Sequence, residues 1–423
     1  MLKHQLTTLE NGLRLITIPM KGVESMTVMI GVGAGSRYET LQTNGLSHFL
    51  EHMLFKGTKK RPTTFDISSA LDSIGADFGG GTAKEYTVYS VRANAAHQNL
   101  AFDILSDIVL NSKLDEKEIE KERGVIIEEI NMYEDTPMEK ISEIFEFLLY
   151  SPTSLGWEIT GQKENIKNIQ RDNFLNYQKR LYSPGNMVVV GAGKVDGKET
   201  LALTEKYFGK LEFQEKEKFQ PTVYPGQKRP RMELRRKKTN QSHFCLGVRG
   251  YFYSHPDRYV LAVLVALLGG CASSRMFTEV RERRGLAYYV TTASILYRDN
   301  GNLVTQAGVD VKKIDEAIKV ILNEYWKVCR EKVTPEELKK IKELLKGRLI
   351  LSLEHSDSVA RRYALPTILE GKILDPQEII EKIEKVTADD IQRIAKDILA
   401  PENLNLAIIG PYNDEERFLR LLK

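Results

Sequence analysis

A chain of 423 residues, 42% hydrophobic and 28% charged, is too long for one ordinary core and has the composition of a globular rather than a disordered protein. Its formal charge of +3 arises from Lys and Arg interleaved with Glu and Asp, which argues against nucleic acid as a partner. No stretch approaches the roughly 18 consecutive apolar residues of a membrane span, and the N-terminus lacks the pattern of a secretory signal, so a cytoplasmic protein without membrane attachment is expected.

In chain order, the first strong signal is the apolar strand TVMIGVGAG (27–35), followed by the helical pattern NGLSHFLEHMLFKG (44–57) and a second helix over 63–74. An alternating strand at TVYSVRA (87–93) leads to helices over 98–110 and 115–133, and later to a strand at VVVGAG near Val188. Residues 213–232 are polar, carry Pro and have no periodicity, as a linker would. Beyond them the order repeats: a strand at FCLGVRGYF, a helix at DRYVLAVLVALLGG, then SSRMFTEVRERRG in the place of the second helix, a strand at NLVTQAGVD, a helix at IDEAIKVILNEYW, and a late strand at LAIIG. Two homologous α+β domains are therefore expected, 1–212 and 233–423, each a mixed or antiparallel sheet layered with helices. Cys245, Cys271 and Cys329 are too scattered for a disulfide framework or a metal knuckle and are expected to be reduced.

Chemistry concentrates in the first half. His48 and His52 are four residues apart in a helical pattern, so both imidazoles project from one face and can share one ion. Glu51 flanks that ion without needing to bind it, where a general base for an activated water must stand. A third ligand is required; Glu128 and Glu129 are the candidates, and Glu122 lies two turns before Glu129 on nearly the same face. The duplicate carries none of this. Aligning Gly57 with Gly270 sets HFLEH opposite Leu261–Val265, and aligning the two Lys/Glu-rich helices sets Glu122 opposite Ile341 and Glu129 opposite Arg348.

These motifs, with LENGLRL, TAKEYTVY, ERGVIIEEINMYEDTP, LGWEITG, YSPGNMVVVGAG and SSRMFTEVRERRGLAYYV, make the sequence resemble the pitrilysin-type zinc metallopeptidases over nearly its whole length. The likeness is nearest to the mitochondrial processing peptidase branch and its bacterial relatives. The resemblance implies one zinc per subunit held by His48, His52 and Glu129, with Glu51 as catalytic base and Glu122 orienting a ligand from behind. It also implies that Arg281 and Tyr288 grip the substrate and steady the intermediate, and that a dimer brings this pair from one subunit to the zinc of the other. Relatives add their peptide or unfolded polypeptide substrate as an extra strand beside the segment matching Phe78, Gly79, Gly80, Gly81 and Thr82. Three glycines here replace the family's usual Asn-Ala, which leaves the substrate preference open. The competing expectation is a non-catalytic or partner-dependent subunit of a heteromeric complex of the same fold.

Overall fold

The computed structural model describes residues 2–215, 217–218, 220–222 and 226–422. Part of the expected linker, at 216, 219 and 223–225, lies outside the described residues, and its last two residues, Arg231 and Met232, open a strand.

The chain forms two compact units, each assembled from three stretches. The first comprises Met1–Asn131, Trp157–Gln220 and Ile350–Leu374; the second comprises Met132–Gly156, Pro221–Leu349 and Asp375–Lys423. The first unit carries strands β1 (Gln5–Thr8), β2 (Arg14–Pro19), β3 (Ser25–Val32), β4 (Asp77–Thr82), β5 (Thr87–Asn94) and β6 (Met187–Gly193) in the order β1-β2-β6-β3-β5-β4. Only β2 and β6 run parallel. The second carries β7 (Arg231–Arg236), β8 (Gln241–Arg249), β9 (Ala287–Leu296), β10 (Gly301–Asp310) and β11 (Asn405–Gly410) in the order β7-β11-β8-β10-β9, with β7 and β11 parallel. Apart from β1, the two sheets have the same topology, so the repeat seen in sequence is a repeat of architecture. The fold is α+β, with two mixed sheets layered by helices.

The helices that matter below are α1 (Leu46–Leu54), α2 (Thr64–Asp72), α3 (Gln98–Asn111), α4 (Glu116–Asp135), α5 (Pro137–Tyr150) and, late in the chain, α6 (Ser356–Leu369). Strand β3 shows why its sequence is apolar almost throughout. Met26, Val28, Ile30 and Val32 point to a core shared with Phe49, Leu50 and Met53 of α1 and with Phe102 and Leu105 of α3. Met29 points the other way, onto Val359, Ala360, Tyr363 and Ala364 of α6. A strand covered on both faces loses the polar alternation of a half-exposed one.

The spatial units do not follow the covalent stretches 1–212 and 233–423. Helix α5, from the first stretch, packs Ile141, Ile144, Phe145 and Leu149 against Cys245, Ala407 and Ile409 of the second sheet. Helix α6, from the second, covers the first sheet. These two helices occupy corresponding places, each following a Lys/Glu-rich helix, so the exchange is reciprocal. A second difference concerns SSRMFTEVRERRG, where the counterpart of α2 is a short wide π-type helix over Phe277–Glu282. Among the described residues, no helix is long and apolar enough to cross a membrane.

Candidate metal centre

Helix α1 begins at Gly45, whose φ of +100° is the left-handed conformation that favours glycine, and where a Cβ would lie 2.7 Å from the Thr160 carbonyl oxygen. From there α1 buries Leu46, Phe49, Leu50 and Met53, which fixes the helix on the core by its apolar face. That anchorage turns His48, Glu51 and His52 toward α4 and β4. Helix α4 is amphipathic in the same way: Ile119, Ile126 and Ile130 are buried together with Glu122, Glu129 is half-buried, and Glu128 is exposed. Of the two acidic candidates, therefore, helical phase brings Glu129 to the imidazoles and sends Glu128 to solvent.

His48 Nε2 lies 3.6 Å from Glu129 Oε1, and His52 Nε2 lies 3.7 Å from Glu129 Oε2. The two rings are 4.6 Å apart, edge to face. His48, His52 and Glu129 are the one group among the described residues whose ligand atoms converge, all within 4.8 Å of one another. Donor atoms bound tetrahedrally to zinc at about 2.0–2.2 Å stand about 3.3–3.6 Å apart. Gaps of 3.6 and 3.7 Å are close to that spacing and longer than a good hydrogen bond, so the three side chains fit a zinc ion better than they fit each other.

The neighbours of this trio are ordered by hydrogen bonds. Glu122 Oε1 meets His52 Nδ1 at 2.8 Å, and Lys56 Nζ meets Glu122 Oε2 at 2.5 Å. Lys56, four residues past His52 and just beyond the end of α1, was not singled out in the sequence; a lysine so soon after the histidines was the available signal. Thr82 Oγ1 donates to Glu51 Oε2 at 2.5 Å, which leaves Glu51 Oε1 beside Gly80. Burial raises the Glu51 carboxyl above the ordinary carboxylate range, and the Thr82 bond only partly offsets it. Burial, with His52 alongside, lowers His48 to about 4, so its ring is neutral as a ligand must be. Burial alone would lower His52, but Glu122 and the other carboxylates outweigh it and raise it.

Phe78, Gly79, Gly80, Gly81 and Thr82 lie in β4, an edge strand paired with β5 on one side only. A cavity of about 290 Å³ opens beside it, lined by Glu51, His52, Phe55, Lys56, Ser68 and Phe78 among others. Arg281 and Tyr288 belong to the second unit, whereas the metal cluster belongs to the first. Arg281 sits in the π-type helix with its guanidinium 4.8 Å from the centre of the Phe277 ring, and Tyr288, in β9, is 75% exposed. Tyr288 is thus not a core residue.

Residues 15–160 match the family described as insulinase (peptidase family M16), and residues 168–345 match the peptidase M16 inactive domain. The "uncharacterized zinc protease YmxG" of Bacillus subtilis is 35% identical over 408 residues, covering 96% of this chain and 97% of its own length. The chain belongs to peptidase family M16. As an M16 member it is a zinc protease, and the second match agrees with a half that has Leu261–Val265 where the first has HFLEH. Two solved structures share the fold: a protease from Helicobacter pylori, 22% identical with a TM-score of 0.91 over 97% of this chain and 100% of that one, and Complex III2 from Candida albicans, 19% identical with a TM-score of 0.85 over 99% of each.

Proposed function

We propose that this M16 protein is a zinc endopeptidase for peptides and unfolded protein segments, working as a homodimer with one zinc per subunit. His48, His52 and Glu129 hold the metal. The convergence of those three side chains at ion-sized gaps is the observation that carries the reading. When bound there, zinc supplies Lewis acidity, polarising the scissile carbonyl and making water a competent nucleophile near neutral pH.

The chain's own groups do the rest. A substrate laid along the outer edge of β4 gains main-chain hydrogen bonds, which tolerate varied side chains. The cavity lined by Phe55 and Phe78 receives one of its side chains. Thr82 occupies one oxygen of Glu51 and leaves the other free to accept a proton from the attacking water. As the water oxygen bonds to the carbonyl carbon, Glu51 takes that proton; as the C–N bond breaks, Glu51 returns it to the leaving amine. Tyr288 and Arg281 of a second subunit donate to the carbonyl oxygen, where negative charge develops.

Metal content and cleavage of a quenched, unstructured peptide by the purified chain test this. Glu51→Gln is expected to keep zinc and lose turnover by about 100-fold or more. Retained turnover removes Glu51 from the role, and a wild-type chain that binds zinc but cleaves nothing points to the partner-dependent subunit.

A further inference from the structure

Glu39 takes no part in the chemistry above, yet it is 7% exposed and its carboxylate is turned to donors at the start of α1. Its Oε2 accepts from the Gly45 backbone N–H at 2.9 Å and from Asn44 Nδ2 at 3.0 Å. Its Oε1 accepts from the Ser47 backbone N–H at 2.7 Å and from Ser47 Oγ at 2.5 Å. Helices normally satisfy their first free N–H groups with a capping side chain of their own. Gly45 has none, and the crowding at Thr160 and Gly161 denies the position a Cβ. A carboxyl from outside the helix therefore does the capping; burial pushes it up to about 7 against the pull of these donors, and in its ionised form its charge also suits the positive end of the helix dipole.

What this cap governs is unusual in its reach. Helix α1 has only nine residues, and three of them are His48, Glu51 and His52. Ser47, held through both its backbone and its hydroxyl, immediately precedes His48. Four bonds at one end fix both the axial place and the rotation of so short a helix, and rotation decides where the imidazoles and the base point. We infer that Glu39 is a positioning residue for the metal-binding helix: it sets the aim of His48, Glu51 and His52 without touching metal or substrate. The inference rests on the peptidase reading and adds to it a residue nine positions before the first histidine of the motif.

The test compares full-length wild type with Glu39→Gln, which keeps the volume but replaces one acceptor oxygen by a donor amide. Zinc affinity is measured with the metal alone against a competing chelator, and kcat and KM at saturating zinc. Expected are a loss of about 10-fold or more in zinc affinity, a kcat lowered by about 10-fold or more, and a KM within about twofold of wild type. A purely structural role would lower the melting temperature and leave the affinity and kcat of the folded protein unmoved, and that result overturns the inference. Should Glu39→Gln not fold, Ser47→Ala removes one of the four bonds and is expected to shift zinc affinity and kcat about threefold in the same direction; unchanged values in folded Ser47→Ala overturn it equally. Failure of the underlying reading is separate, because then wild type itself neither binds zinc nor cleaves peptide.

Discussion

Glu122 holds His52 through Nδ1 and is itself held by Lys56, which leaves Nε2 turned to Glu129 and, on the proposed zinc reading, free to bind the metal. Groups behind a ligand in this way are typically worth about 10–100-fold in metal affinity. Glu122→Gln is therefore expected to weaken zinc binding by about that factor while activity returns when zinc is added in excess, measured by chelator competition and a zinc titration of turnover. Unaltered affinity would mean that His52 is oriented by packing alone. At this scale much of the centre was legible. The four-residue spacing of His48 and His52 requires one helical face, and the seven residues from Glu122 to Glu129 return to the same side of α4. The choice between Glu128 and Glu129 depended on the resemblance, because only the buried pattern of Ile126 and Ile130 reveals which way that helix is turned. Glu39 was not legible at all: its partners lie in a helix cap, and an isolated Glu six residues before a glycine gives no sign of capping at a distance.

Among the elements, β4 is the one the sequence described least. DFGGGT has low strand propensity, and its extended form comes from pairing with β5 rather than from its own residues. Its glycines are not equivalent. A Cβ on Gly80 would lie 2.8 Å from Glu51 Cγ and 2.9 Å from Glu51 Oε1, whereas one on Gly79 would meet nothing within 4 Å and one on Gly81 would reach Val88 only at 4.0 Å. Gly80 makes room for Glu51. Since the crowded atoms belong to a movable side chain, Gly80→Ala should fold and bind zinc, and the cost should fall on Glu51, with kcat lowered by about 10–100-fold. Gly79→Ala should stay within about twofold of wild type under the same peptide assay. Equal rates for the two variants would show that Glu51 tolerates displacement. Helices α1, α3 and α4 were readable from periodicity because each is anchored on a core by one face. The π-type helix at Phe277–Glu282 was not, since its width follows from the tertiary setting and leaves no period in the sequence.

For the molecule as a whole, the duplication was written in the order of strands and helices, but the reciprocal exchange of α5 and α6 was not. Ile141, Phe145, Val359 and Tyr363 read as the apolar face of some helix, and nothing in them names the sheet they cover. The assignment of Arg281 and Tyr288 to a partner's metal centre is a statement of the same kind, about which copies of a repeated architecture meet, and it has a decisive consequence. If the pair acts in trans, a protein carrying Glu51→Gln and a protein carrying Tyr288→Phe, each inactive as a homodimer, complement one another. In the mixed dimer, the subunit with intact Glu51 receives intact Tyr288 from its partner, while the other centre carries both lesions. Random exchange at equal concentrations makes half of the dimers mixed, each with one working centre of two, so activity should recover to roughly a quarter of wild type. If the pair acts in cis, every centre in the mixture keeps one lesion, and activity stays at the level of the separate variants however long the subunits exchange.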